Sequence, residues 1–170
     1  MKIISVIPVR GGSKGIPKKN LIKIHRKPML EYTITASQKS KLINRTIVCT
    51  EDKEIARVAK KLKAEVISRP KHLATDTILA EPSIELVLNH LKKENYIPDI
   101  IVFLQNTSPL RNEKDIDGAI NMMKEGYDSV ISGFIIHTYS WIQKKNTLKA
   151  LDYDFKNRVQ RQNDKYQILQ

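Results

Sequence analysis

The sequence predicts an α/β protein of three layers, in which a mostly parallel, twisted sheet lies between two layers of helices. Two observations predict this class. Short, almost unbroken apolar runs rich in β-branched residues are typical of strands covered on both faces. These runs alternate with stretches in which apolar residues recur every three or four positions, as they do on the buried face of a helix. Such alternation indicates right-handed βαβ units and therefore a parallel sheet.

The first half of the chain supplies three predicted strands. The run KIISVIPV predicts the first strand at Lys2–Val9, and it ends in a glycine-rich loop. Pro28 suits the first turn of a helix that ends before Ser40. The second and third strands are predicted at Thr46–Thr50 and Glu65–Ser68, and Asp52 is a candidate N-cap for the helix between them.

The second half continues the pattern as far as Gly133. Helical stripes occur at 84–91 and 116–123, with predicted strands at Asp99–Leu104 and Asp128–Ser132. After Gly133 the regular pattern is lost, and the remaining residues are compatible with an extended arm, an interface hairpin or a frayed tail. We therefore expect a nucleotide-binding domain over 1–135 and a partial arm or dimerisation segment over 136–170.

Charge is concentrated at the start of the chain. The whole chain has 30 basic and 18 acidic residues, a net charge of +12, and residues 1–45 hold 11 Lys or Arg against Glu31 alone, or +10. A cationic excess around one glycine-rich loop favours a small polyanion over a nucleic-acid duplex. Solvated lysine-rich surfaces are the alternative explanation for part of this excess of positive charge.

Other composition signals exclude several classes of protein. The apolar runs are too short to span a bilayer and no signal peptide is evident, so we expect a cytoplasmic protein without membrane attachment. The single cysteine, Cys49, lies within an apolar run and is predicted to be a buried thiol. The four histidines show no metal-ligand spacing, so a zinc site is not expected.

Ligands of open parallel sheets bind beyond the carboxyl ends of the strands, and three loops are predicted there. The first loop, Arg10–Asn20, contains three glycines and four basic residues, a composition suited to phosphate. It matches neither the Walker pattern nor G-x-G-x-x-G, so a plain turn with solvated lysines remains the alternative.

The other two loops are weaker signals on their own. The second loop, Arg69–Asp76, begins with an Arg-Pro pair, which is as typical of a stiff surface loop as of a site. The third loop, Gln105–Arg111, places several polar side chains directly after an apolar strand, which favours ligand recognition over turn capping. The Asp115 and Asp117 pair resembles a magnesium motif, but acids at a helix start explain it better.

Taken together, the three loops resemble the acylneuraminate cytidylyltransferase family, the CMP-sialic acid synthetases and their legionaminic and pseudaminic acid relatives. The segments VIPVRGGSKGIPKKN, RPKHLATD and FLQNTSPLR carry the resemblance, and DIDGAI and DSVISG extend it to roughly residues 1–137. Asn106 replaces a proline that is usual in the third segment, and CTED at 49–52 stands where S-T-D is common.

The resemblance implies a nucleotide-diphospho-sugar-transferase-like fold and a magnesium-assisted reaction. The C2 hydroxyl of a nonulosonic acid would attack the α-phosphorus of CTP, and pyrophosphate would leave. It assigns Gln105 to the sugar, and Arg10 and Lys14 to catalysis. It assigns eight residues to the nucleotide, with Arg69 near the cytosine: Arg10, Gly11, Gly12, Ser13, Lys14, Lys19, Asn20 and Arg69.

The resemblance also implies that the family continues some tens of residues beyond Gln170, into a final strand and an Asp-x-Asp pair that binds magnesium. We therefore expect no metal ligands in this chain. A homodimer is possible, with only part of the arm that would form it. Three hypotheses follow: a shortened but active enzyme, a truncated product that binds CTP poorly without turnover, or a basic nucleic-acid-binding protein. A cytidylyltransferase for another keto sugar acid, 3-deoxy-manno-octulosonate, is the nearest enzymatic alternative.

Overall fold

The computed structural model describes residues 1–13, 15–75, 78–133, 135–136, 140–151, 154, 156 and 168–169, which form two compact units, Met1–Val130 and Ile131–Gln170. The first unit contains β1 (Ile3–Pro8), β2 (Lys23–Ile24), β3 (Lys27–Pro28), α1 (Met29–Lys39), β4 (Arg45–Thr50), α2 (Lys53–Lys61), β5 (Glu65–Ser68), α3 (Glu81–Lys93), β6 (Ile100–Phe103) and α4 (Glu113–Lys124). The second contains β7 (Ile135–Ile136), β8 (Trp141–Lys144), β9 (Thr147–Ala150) and β10 (Ile168–Leu169).

The central sheet of the first unit is parallel, with strand order β5-β4-β1-β6. The chain moves outward from β1 to β4 and β5, and then returns to the other side of β1 as β6. This reversal creates the topological switch point at which open α/β sheets bind ligands. The four strands confirm the predictions at Lys2–Val9, Thr46–Thr50, Glu65–Ser68 and Asp99–Leu104.

Apolar side chains cover both faces of this sheet. On one face, Ile3 and Ile7 of β1 belong to a cluster with residues of α1, α2 and α4. On the other face, Ile4 and Val6 belong to a cluster with Val87 and Leu91 of α3. Alternate β1 residues therefore enter opposite layers, which confirms the predicted three-layer architecture.

Side-chain caps fix the starts of two helices. The Asp52 carboxylate accepts hydrogen bonds from the N–H groups of Glu54 and Ile55 at 2.8 and 2.9 Å and caps α2, as predicted. Asn112 caps α4 and forms a capping box with Asp115. Asp117 accepts a hydrogen bond from the Ser40 hydroxyl. The helix interpretation of this acid pair is confirmed.

The predicted fifth strand at Asp128–Ser132 was wrong, because these described residues form no strand. Ile131 is 85% exposed, so the segment buries too little apolar surface to be held in a sheet. Among the described residues none pairs with the outer edge of β6, where Ile101 and Phe103 are partly exposed. A β-branched pattern alone does not form a strand when no neighbouring strand is aligned with it.

The second unit contains an antiparallel hairpin, β8–β9, and the antiparallel pair β7–β10. Of the three alternatives for the region after Gly133, only the hairpin shape is seen among the described residues, and the predicted interface role of this hairpin stays a prediction. Its turn places Lys145 at φ 50°, a conformation for which glycine or asparagine is the usual sequence signal. The predicted domain boundary between residues 135 and 136 stays a prediction.

Two further expectations concern Cys49 and membranes. Cys49 is fully buried in β4, as predicted, and burial raises the pKa of its thiol to about 11. No helix in the described part of the chain is both long enough and apolar enough to cross a membrane.

Candidate functional site

A cavity of about 320 Å³ lies at the carboxyl edge of the sheet in the first unit. All three predicted loops contribute to its wall. The segment from Ile78 to Ala80, which precedes α3, closes it further. Predicted site residues on the wall are Arg10, Gly12, Ser13, Lys19, Asn20, Arg69 and Gln105. The structure thus brings together residues that are up to 95 positions apart in the sequence, Arg10 and Gln105 being the extremes.

The first loop contributes polar and basic groups to the cavity wall. Arg10, Ser13 and Lys19 line it, whereas Lys14 lies outside the described residues. Lys18 is directed to Glu54, whose carboxylate accepts a hydrogen bond from its Nζ at 2.7 Å. This hydrogen bond raises the pKa of Lys18. Lys18 thus anchors the loop to α2, while Arg10 and Lys19 line the cavity wall.

Gly11 lies beside the cavity and not on its wall. Its N–H donates to Glu51 Oε1 at 2.7 Å, so this amide has a protein acceptor already. A Cβ added at Gly11 would lie 2.3 Å from Asp52 Oδ2, a distance that real Cβ atoms do not adopt. The first loop therefore needs glycine at position 11 for its close approach to the start of α2, and Gly12 is the glycine that faces the cavity.

Asn20 connects the first loop to the third through buried amides. Its Nδ2 donates to the Arg10 carbonyl at 2.8 Å, and its Oδ1 accepts from Asn106 Nδ2 at 2.9 Å. A carbonyl can only accept, so the Arg10 carbonyl fixes the orientation of Asn20, and Asn20 in turn fixes that of Asn106. This leaves Asn106 Oδ1 buried without a hydrogen-bond partner among the described residues.

Arg69 of the second loop is buried and paired. Its Nη2 and Nε donate to Glu51 Oε2 at 2.7 and 3.3 Å, and its Nη1 donates to the Ser83 hydroxyl at 3.1 Å. Its backbone N–H extends the sheet by donating to the Thr50 carbonyl at 3.0 Å. The guanidinium on the cavity wall is therefore rigidly held and largely neutralised by Glu51.

The third loop is braced from behind by Arg111. The Arg111 Nη2 donates to the Gln105 carbonyl at 2.9 Å, and the Arg111 N–H donates to the Ser108 carbonyl at 3.3 Å. Neither Ser108 nor Arg111 lines the cavity, so their contacts support the loop from outside it. Burial of the Arg111 guanidinium lowers its pKa. Gln105 thereby presents its side chain from a supported backbone.

Apolar side chains also line the cavity. Leu73 and Ala74, in a short 3-10 helix that follows Pro70, lie with Ile78, Leu79 and Phe103 around the opening. Leu79 and Phe103 are exposed, so their apolar surfaces are accessible to a ligand in the cavity. The cavity is thus lined by both cationic and apolar side chains.

The potential metal ligands among the described residues form no large cluster. No group of three or more His, Cys, Asp or Glu side chains in the described part of the chain is arranged to hold a metal ion. Glu51, directly behind the cavity, already accepts from Arg69 and Gly11. We therefore derive no step through a metal ion, and the predicted magnesium requirement stays a prediction.

Sequence reasoning missed two residues that organise this site. In the sequence, Glu51 is marked only as part of CTED, which stands where S-T-D is common. In the structure it contacts Gly11 and Arg69, which are 40 and 18 positions away. Asn106 was noted only because it replaces a usual proline. That substitution was the available signal, since proline has no side-chain donor for the bond to Asn20.

The sequence profile described as "Cytidylyltransferase" matches residues 4–169, almost the whole chain. The chain belongs to the cytidylyltransferase family. This cytidylyltransferase-family chain is 34% identical over 134 residues to the N-acylneuraminate cytidylyltransferase of Escherichia coli, covering 77% of this chain and 31% of that protein. It is 33% identical over 132 residues to the pseudaminic acid cytidylyltransferase of Campylobacter jejuni, covering 77% and 54%. It is 35% identical over 133 residues to the CMP-N,N'-diacetyllegionaminic acid synthase of Legionella pneumophila, covering 78% and 57%.

Solved structures support the fold. A CMP:2-keto-3-deoxy-manno-octonic acid synthetase complexed with CTP superposes with a TM-score of 0.62 at 21% identity, covering 74% of this chain and 48% of that one. A 4-diphosphocytidyl-2C-methyl-D-erythritol synthase superposes with a TM-score of 0.70 at 14% identity, covering 89% and 68%. These neighbours confirm a nucleotidyltransferase-like α/β fold. The chain spans between about a third and three fifths of the length of the curated relatives it matches.

Proposed function

We propose that the cavity binds CTP and that the protein transfers CMP from it to the C2 hydroxyl of a sialic-acid-like nonulosonic acid. The observation that carries the proposal is the convergence of all three loops on one cavity at the switch point of the sheet. Family membership supplies the reaction class, and the geometry supports a role for each set of lining residues.

The cationic side chains suit the triphosphate. Arg10 and Lys19 provide charge, while Ser13 provides a hydroxyl donor on the same wall. Gly12 has open space where a side chain would project, so the backbone can approach an anion closely there. Lys14, between these residues in sequence, completes the proposed set. Neutralising charge and fixing geometry are the main tasks of a protein in phosphoryl and nucleotidyl transfer.

The paired Arg69 suits a neutral base better than a phosphate. A guanidinium has five N–H donors, and three of those of Arg69 are engaged by Glu51 and Ser83. Two donors remain, with little net charge, and such donors fit the carbonyl oxygen of cytosine. The apolar side chains of Leu73, Ala74 and Ile78 offer a surface for the flat ring.

Gln105 is the proposed contact to the sugar acid. It lies on the wall next to Asn106, on the loop braced by Arg111. The sugar hydroxyl loses its proton to solvent as its oxygen forms a bond to the α-phosphorus. The bond between the α-phosphorus and its bridging oxygen breaks, and pyrophosphate leaves with that electron pair. The described residues contribute by holding the two reactants in line and by balancing charge on the leaving group.

Calorimetric titration tests the nucleotide assignment. We expect the protein to bind CTP at least about 10-fold more tightly than UTP. Arg10→Ala and Lys19→Ala should each weaken CTP binding by about 10-fold, the loss of one charge-assisted hydrogen bond. Lys92→Ala, which removes an exposed charge at the end of α3, is the matched control and should bind as the unaltered protein does. Equal affinity for the two nucleotides, or unchanged affinity in both loop variants, would refute the assignment.

Pyrophosphate release tests the sugar assignment. With CTP and magnesium present, the protein that carries this chain should release pyrophosphate with N-acetylneuraminate or pseudaminate and not with 3-deoxy-manno-octulosonate. The octulosonate enzyme resembles this chain at 21% identity, which supports the fold alone. Release with octulosonate only would replace the proposed acceptor by the alternative sugar acid.

A further inference from the structure

We propose that Glu51 is a positioning residue that couples the triphosphate-binding loop to the base-facing Arg69, and so sets the affinity for CTP without contacting it. The inference rests on the proposed function of the cavity. It concerns a residue that neither the motifs nor the composition singled out as part of a site.

The Glu51 carboxylate joins the first two loops directly. Oε1 accepts from the Gly11 N–H at 2.7 Å, and Oε2 accepts from Arg69 Nη2 at 2.7 Å. The side chain is only 14% exposed and that of Arg69 only 7%, so water competes little for these bonds. Charge-assisted bonds of this length are among the stronger polar interactions in proteins.

The start of α2 holds the first loop at two further points. Asp52 occupies the space that a side chain at Gly11 would need, and Glu54 pairs with Lys18 at 2.7 Å. These contacts restrain the loop, but neither reaches Arg69. Glu51 combines both tasks, because each of its oxygens accepts from a different loop.

Glu51 itself does not line the cavity. Of its two partners, Arg69 is on the wall; Gly11 is not, but its chain neighbours Arg10 and Gly12 are. Glu51 therefore fixes the separation between the groups that would bind phosphate and the group that would bind the base. A ligand that spans both parts benefits from a fixed separation, because less conformational freedom is lost on binding. A ligand that occupies only the phosphate part does not.

Two substitutions separate charge from reach. Glu51→Gln keeps the length but brings an NH₂ group against donors, so one of the two loops loses its acceptor. Glu51→Asp keeps the charge but is one methylene shorter, so it cannot accept from both loops at 2.7 Å. Glu85→Gln makes the same charge change on an exposed face of α3 and is the matched control.

The experiment is a pair of calorimetric titrations, with CTP and with inorganic tripolyphosphate, on the protein and these three variants. Circular dichroism first establishes that each variant is folded at the titration temperature. We expect Glu51→Gln and Glu51→Asp to weaken CTP binding at least about 10-fold while tripolyphosphate binding changes less than about 3-fold. Glu85→Gln should leave both affinities unchanged.

Two results would overturn the inference. An equal loss for CTP and tripolyphosphate in both Glu51 variants would mean that Glu51 merely supports the loop. Unchanged CTP affinity in both would mean that the link has no effect on binding. If Glu51→Gln does not fold, Glu51→Asp decides alone. Failure of the unaltered protein to prefer CTP over UTP would instead contradict the proposed function, so the two failures are distinguishable.

Discussion

Replacing Asn20 by alanine should destabilise the first unit far more than replacing its partner Asn106. Asn20→Ala removes two hydrogen bonds, to the Arg10 carbonyl and from Asn106 Nδ2, worth about 0.5–1.5 kcal/mol each. It also leaves the Nδ2 of Asn106, a residue only 5% exposed, without an acceptor, at a cost of about 1–3 kcal/mol. We expect a total loss of about 2–6 kcal/mol in the free energy of unfolding.

Asn106→Ala breaks only one of these bonds, and the cost of leaving Asn20 Oδ1 without its donor is offset by a second change. It also removes Asn106 Oδ1, a buried oxygen that lacks a partner among the described residues and therefore already costs stability. The expected loss is about 0–1.5 kcal/mol. In the double variant no Asn106 donor remains to be orphaned, so its loss should be smaller than the sum of the single losses by about 0.5–3 kcal/mol.

Urea unfolding followed by far-ultraviolet circular dichroism measures all three values. A loss for Asn106→Ala equal to or larger than that for Asn20→Ala would refute the orientation of the two amides. Strict additivity in the double variant would refute the hydrogen bond between them.

Three further predictions concern the same unit. Gly11→Ala should lower the melting temperature, because its Cβ would lie 2.3 Å from Asp52 Oδ2. Gly12→Ala is the control: its Cβ has open space, so the melting temperature should not fall. Equal shifts in the two variants would contradict the close approach at Gly11. Asp52→Ala should cost about 1–2 kcal/mol of unfolding free energy through loss of the α2 cap, and Asp52→Asn much less, as urea unfolding would show. The pKa of Cys49 is raised from 9.0 to about 11, so the unfolded thiol ionises first and stability falls as the pH rises from 9 to 11. Cys49→Ala should lack this pH dependence. The difference in unfolding free energy between the two proteins should therefore change by up to about 1.4 kcal/mol per pH unit in this range.

The pattern of apolar residues predicted the strands and helices of the first unit well, because the buried side of each element is visible in its own sequence. β1 is covered on both faces and reads as an unbroken apolar run, while α2 and α4 begin at residues whose side chains cap them. The predicted strand at Asp128–Ser132 failed because a strand also needs a paired neighbour, which local sequence does not report. The turns at His25, Arg26 and Lys145 adopt positive φ without glycine, so the usual turn signal was absent.

The site was predictable to the extent that it follows from topology. Loops after neighbouring parallel strands must meet, so placing Arg10, Arg69 and Gln105 together required only the strand order. The contacts behind the wall were not predictable in this way. Glu51 reaches Gly11 and Arg69 only because β4 lies between β1 and β5, and no local pattern marks an acid that accepts from two other segments.

The central claim is that the three loops form a single CTP site, and hydrogen exchange measured by mass spectrometry tests it most directly. On addition of CTP, we predict slower amide exchange in all three segments, 10–20, 69–80 and 105–111, with no change in α4. The segments include Lys14 and the other loop residues that the structure does not describe. Slower exchange confined to the first loop would show that phosphate binds there without the other two, and would contradict the claim.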